Sequence, residues 1–174
     1  MKTLENGWLL PDKMTLFMKT ILYILNRLFE VENRKLTQGE KQLAQSVFGI
    51  HLQLDAIRIV AHRGVLKNYA ISPNGNIYFH PQNWCQDFST LSLAKQSWLI
   101  HELTHVWQIQ QGLAVVRKAI FDRKYQYVLE QGKLFFQYGI EQQAQMVQDY
   151  FIRKSRGQEC QAYEDCIPFL SQKA

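Results

Sequence analysis

LSLAKQSWLIHELTHVWQIQQ, residues 91–111, is the stretch whose reading decides the rest of the chain. Apolar Leu91, Ala94, Trp98, Ile100, Leu103, Val106, Trp107 and Ile109 recur along it with helical spacing. Ser89 or Thr90 can cap its start and Gly112 is a natural stop, so the pattern predicts one amphipathic helix over 91–111. His101 and His105 fall in its middle. Positions i and i+4 sit one turn apart on the same face, so two imidazoles there can grip one ion. Glu102 lies beside that face, where a carboxylate can take a proton from water on the ion.

Two imidazoles are one ligand short, because a catalytic zinc site takes three protein ligands and keeps a position for water. No histidine follows closely; the polar side chains soon after His105 are glutamines. The segment GIEQQAQMVQDYF, residues 139–151, reads as another helix with Ile140, Ala144, Val147 and Phe151 on one face. Glu141, Gln145 and Asp149 recur every four residues as a polar stripe. Glu141, at the start of that helix, is the candidate third metal ligand; Glu130, Asp122 and Asp149 are weaker competitors.

The pairing of His101-Glu102-x-x-His105 with a downstream helical Glu141 resembles the gluzincin branch of zinc metallopeptidases. More closely, Phe79-His80-Pro81, Asp87-Phe88, Ile100 to Gln108, Glu141-Gln142-Gln143-Ala144 and Asp149-Tyr150 resemble small bacterial proteins. These are the zinc peptidases labelled Vgr-related or Rhs-associated and linked to type VI secretion. The resemblance spans roughly residues 36–152. It implies Zn2+ on His101, His105 and Glu141, with Glu102 as the general base of peptide-bond hydrolysis. It also implies an effector or accessory peptidase, acting on a protein or a peptidoglycan peptide and partnered by a secretion spike protein or an inhibitor. One place departs from the gluzincin pattern: four residues after the ligand Glu, where an acidic side chain usually orients a zinc-bound His, stands Gln145. An amide oxygen can accept an imidazole N–H there but polarises the ring less. The competing reading is a non-catalytic, zinc-stabilised binding module of a spike complex, which would have no need of Glu102.

At 174 residues the chain suits one domain with a core that needs no disulfides. The expected class is α+β, mainly helical and zincin-like. It comprises N-terminal helices over about 13–48, a small antiparallel sheet over about 55–80, the active-site helix over 91–111 and the third-ligand helix over about 140–154. A helix from Thr37 to Phe48 should end at Gly49. Asp55 to His62 alternates Ile57, Ile59 and Ala61 with Arg58, Val60 and His62, as a half-buried strand does. Tyr69–Ser72 and Asn76–His80 flank Pro73-Asn74-Gly75, good chemistry for a hairpin turn. In a zincin the sheet edge lies along the cleft and can pair with an extended peptide, an expectation placed here on Asn76–His80. His62 and His80 are then cleft candidates, though more often such residues merely pack. Tyr125, Tyr127 and Tyr138 are candidate donors to a tetrahedral oxyanion.

The net charge of +5 is spread along the chain, with clusters at Arg117, Lys118, Arg123 and Lys124 and at Arg153, Lys154 and Arg156. Such clusters are usually solvated faces, or less often attract an anionic envelope surface. No recognition-helix or RNP-like pattern accompanies them, so no nucleic-acid partner is expected. Met14 to Phe29 is apolar but interrupted by Lys19, Asn26 and Arg27 and lacks a cleavage site, so it reads as a packed amphipathic helix. It is too short and charged for a transmembrane segment. Synthesis in the cytoplasm without a signal peptide is expected, with export left to a secretion machine. Cys85 stands alone, and Cys160 and Cys166 are expected as free thiols.

Overall fold

In a computed structural model, residues 26–113 and 124–170 are described. Strand β1 (Glu30–Lys35) leads into helix α1 (Gln38–Phe48), followed by β2 (Arg58–His62), β3 (Ala70–Ile71) and β4 (Ile77–Phe79). Helix α2 (Leu93–Gln110) comes next, then α3 (Ile140–Ser155) and the short α4 (Gln161–Cys166). The class is α+β, as expected. The predicted N-terminal helix lies outside the described residues except for its last turn, 26–29, which is helical.

The sheet differs from expectation in two respects. Its order is β1-β2-β4-β3, and β2 and β4 run parallel, Val60 opposite Tyr78, while the other two pairings are antiparallel. The Tyr69–His80 hairpin forms as predicted, with Gly75 in the left-handed region at φ +83°. It then inserts β4 beside β2, however, so Asn76–His80 is an interior strand and cannot take up a substrate strand. The open edge on that side is β3. The other edge, β1, is EVENRK, with none of the apolar alternation that marks a strand. Charged side chains are what an edge strand carries to discourage pairing with other chains, which is why this one escapes pattern reading.

A buried ion pair ties these pieces to the segment that enters α2. Thr37 caps α1, its hydroxyl accepting from Glu40 N while the Glu40 carboxylate accepts from Thr37 N. Glu40 is fully buried and receives both Arg34 guanidinium nitrogens, at 2.7 and 2.8 Å. It also accepts from Phe88 N at 2.8 Å. A bidentate pair with its remaining acceptor sites filled can exist in the core, whereas losing one partner strands the other charge at a cost of about 3–5 kcal/mol. Gly39 sits where a Cβ would run into Ser89 Oγ, so α1 and the 88–90 turn approach closely.

Helix α2 starts two residues later than predicted. Asp87, Phe88, Ser89 and Thr90 form a separate 3-10 turn, with the Asp87 side chain accepting from Ser89 N, and Ser92 takes the N-cap position. Its end is as expected: Leu113 N bonds Gln108 O and Gly112 N bonds Ile109 O, with Gly112 at φ +77°. The helix is not amphipathic in its middle. Every residue from Leu99 to Gln108 is buried, because α1 and the sheet flank α2 on one side and α3 packs on another. Phe169 closes the core from the C-terminal end, its ring 4.9 Å from Trp107 and 5.0 Å from Phe48. Cys85, Cys160 and Cys166 are free.

Candidate metal centre

Burial of the middle of α2 forces a question that chemistry must answer. His101, Glu102, Thr104, His105 and Gln108 are all polar and all inside. Buried polar groups need partners. Thr104 bonds back to Ile100 O at 2.9 Å, a local solution within the helix. His101, His105 and Gln108 converge on the first turn of α3, and Glu102 turns to Ser72.

The structure brings His101, His105 and Glu141 together. Glu141 Oε2 lies 3.3 Å from His101 Nε2 and 3.2 Å from His105 Nε2. A charge-assisted N–H···O bond is shorter, about 2.7–2.9 Å. Donor atoms held about 2.0–2.2 Å from one four-coordinate ion stand roughly 3.3–3.5 Å from each other, and the observed spacing is close to that edge. Two imidazole nitrogens and a carboxylate oxygen are also the donor set that suits zinc. No other trio of His, Cys, Asp or Glu gathers in this way among the described residues. Burial works to raise the Glu141 carboxyl, but hydrogen bonds from His101 and His105 prevail and hold it at about 2. Burial likewise works to depress His105, and Glu141 and Glu102 outweigh it, carrying the imidazole above its ordinary value. The cluster thus has a negative centre suited to a cation, and the helix N-terminus beneath Glu141 favours its ionised form.

His105 is oriented by a residue that sequence reasoning passed over. Its Nδ1 lies 2.8 Å from Gln108 Oε1. Gln108 Nε2 donates to Ile140 O and to Gln143 Oε1, and Gln143 Nε2 donates to Tyr138 O. Main-chain carbonyls only accept, so both amides have one allowed orientation, and Nδ1 of His105 must be the donor. Nε2, the other ring nitrogen, faces Glu141 and the cluster centre and is the one that would ligate an ion. Gln108 therefore fills the orienting role that the gluzincin pattern suggests for position 145. Gln145 itself turns away, donating to Asp149 Oδ1 at 2.8 Å. His101 Nδ1 is buried and has no partner among the described residues. Gln108→Leu should lower zinc affinity by about 10–100-fold in chelator competition, by freeing the His105 ring and stranding the Gln143 amide. Unchanged affinity would reduce the amide chain to a packing feature.

Glu102 is buried beside the cluster, and its Oε2 accepts from Ser72 Oγ–H at 3.0 Å. Ser72 immediately follows β3, so the open edge of the sheet runs alongside this carboxylate. Nothing in the local sequence around Ser72 signals that contact.

The remaining candidates fall elsewhere. Tyr138 Oη donates to Val128 O and accepts from Glu130 N, and Tyr127 Oη donates to Asp149 Oδ2 at 2.6 Å. Of the three tyrosines, Tyr125 is the one whose ring packs beside a cluster residue, 6.0 Å from that of His101. His62 accepts from Gly64 N and packs on Phe29 and Tyr78, and His80 accepts from Gln82 N; both serve local turns rather than the cluster. Glu130 is exposed and pairs with Lys133. Asp122, Arg117, Lys118 and Arg123 lie outside the described residues.

Comparison with known proteins agrees with the secretion-linked resemblance. No family model matches the chain. It is 38% identical to the type VI secretion system spike protein VgrG2b of Pseudomonas aeruginosa, over 74% of this chain and 14% of that protein. The chain thus spans about a seventh of the spike protein's length. Among solved structures, the effector domain of Pseudomonas aeruginosa VgrG2b superposes with a TM-score of 0.67 at 35% identity. That match takes in 78% of this chain and 82% of the domain. Identity at this level over most of both chains is shared descent, and the chain belongs to the family of the VgrG2b effector domain.

Proposed function

We propose that the chain is a zinc-dependent hydrolase of amide bonds, acting on a protein or on a peptidoglycan peptide as a type VI secretion effector or accessory peptidase. The observation that carries this reading is Glu102. A buried carboxylate adjacent to three converging metal ligands, steadied by Ser72, has no structural task in a module that merely binds zinc. His101, His105 and Glu141 would hold the zinc, which would supply a Lewis acid that lowers the pKa of water and polarises a carbonyl. Glu102 accepts the proton of the attacking water and passes it to the leaving amine. Ser72 holds Glu102 in the orientation for both transfers. The open edge of β3, which ends at Ser72, can pair with an extended substrate and draw its scissile bond toward Glu102. Tyr125, whose ring lies 6.0 Å from that of His101, is our candidate donor to the oxygen that gains charge.

Hydrolysis of peptide or peptidoglycan fragments by zinc-loaded protein, lost on chelation and regained with zinc, tests the reading. Intact substrates after prolonged incubation with the loaded protein would count against it. Tyr125→Phe should keep its zinc and lose about 10–10³-fold in kcat if that hydroxyl stabilises the oxyanion. A kcat equal to wild type would pass the role to another donor.

A further inference from the structure

We propose that the hollow beside the metal centre is a subsite for a substrate side chain of the lysine type, an aliphatic stem ending in a cation. The inference rests on the hydrolase reading for its substrate, and on the hollow alone for its chemistry. The cavity has a volume of about 490 Å³ and is lined chiefly by Tyr125, Tyr127, Leu129, Gln145, Asp149 and Tyr163. Its walls adjoin the metal ligands without including them. Tyr125 packs near His101, and Gln145 and Asp149 continue along α3 from Glu141 at intervals of four residues. At about 1.5 Å of rise per residue, Asp149 stands roughly 12 Å beyond Glu141, within reach of a long side chain near the scissile bond.

The lining has a sign. The chain as a whole carries +5, yet among the described residues this hollow is walled by one carboxylate and no Lys, Arg or His. Asp149 is half-buried and, among the described residues, accepts from two neutral groups, Tyr127 Oη–H at 2.6 Å and Gln145 Nε2 at 2.8 Å. It takes part in no ion pair among the described residues. Burial and Asp149 itself push the Tyr127 hydroxyl up, so it stays protonated and donating. A carboxylate offers about four acceptor positions, and two remain for a ligand. Three tyrosine rings around it add faces that attract a cation. Arg153 lies against Tyr163, 5.9 Å from its ring centre, but its Nε is turned to Glu159 O. Leu129 and the ring edges suit an aliphatic stem. A side chain carrying its own carboxylate, as in the diamino acids of cell-wall peptides, would meet Asp149 with like charge.

Calorimetric titration separates the possibilities. The full chain carrying Glu102→Gln is loaded with zinc and titrated with acetylated Ala-Ala-Lys-Ala-Ala amide, its norleucine counterpart, and the counterpart with 2,6-diaminopimelate at the central position. The lysine peptide should bind at least about 10-fold more tightly than the norleucine peptide, the scale of one cation–π and one charge-assisted contact. The diaminopimelate peptide should bind no better than norleucine, and Asp149→Asn should erase the lysine preference. Equal binding of lysine and norleucine peptides, a diaminopimelate peptide as tight as lysine, or a preference that survives Asp149→Asn would overturn the proposal. The comparison among peptides needs no substitution at Asp149, so it stands whether or not that variant folds. Cleavage by the wild-type chain is read separately: a lysine preference without cleavage supports the subsite and removes the hydrolase reading.

Discussion

Glu102→Gln should leave zinc in place and cut hydrolysis by about 10²-fold or more, the scale of general acid–base catalysis. The substitution keeps the shape of the side chain and touches none of the three converging ligands. A glutamine oxygen can still accept from Ser72, whose hydroxyl donates to Glu102 Oε2 at 3.0 Å. What disappears is a group able to take up a proton and release it. The expected signature is therefore a fall in kcat with zinc content unchanged. A variant that hydrolyses as fast as wild type would remove Glu102 from the chemistry, and a zinc-stabilised binding module would then account for the centre.

The second large effect separates Glu141 from its nearest acidic competitor. Glu141→Ala should lower zinc affinity severely, because the ion would keep two imidazoles, one short of the usual set. Asp149→Ala should keep zinc, because Asp149 bonds Tyr127 and Gln145 rather than the ligands. Zinc affinities from chelator competition check both. Equal losses in the two variants, or retention in Glu141→Ala, would move the third ligand off Glu141. Stability needs a parallel check by thermal unfolding, since removing a buried acid changes packing and charge together.

What could be read from the sequence was local. The motif sits on one helix, and the i, i+4 relation of His101 and His105 needs nothing beyond helical geometry. Thr37, Gly49 and Gly112 mark helix ends through their own backbone chemistry, and Pro73-Asn74-Gly75 does the same for the hairpin. Gln108 was in plain view, three residues after His105, but its role depends on Gln143 and on the Ile140 and Tyr138 carbonyls, thirty or more residues on in the chain. Ser72 meets Glu102 only because β3 and α2 are brought together in the fold. Strand β1 is an edge whose charged side chains hide it, and the parallel pairing of β2 with β4 depends on tertiary insertion rather than turn chemistry. The polar stripe Glu141, Gln145, Asp149 was legible as a pattern. That its first member faces the histidines and its last a separate hollow was not.

The central claim is that His101, His105 and Glu141 hold one zinc ion. Elemental mass spectrometry of the full chain, purified without chelator, measures it most directly, with His101→Ala and His105→Ala alongside. The account predicts close to one zinc per wild-type chain and a loss of stoichiometric zinc in each variant, since either leaves too few protein ligands. Wild-type protein without a stoichiometric transition metal, or variants that keep the wild-type amount, would contradict it.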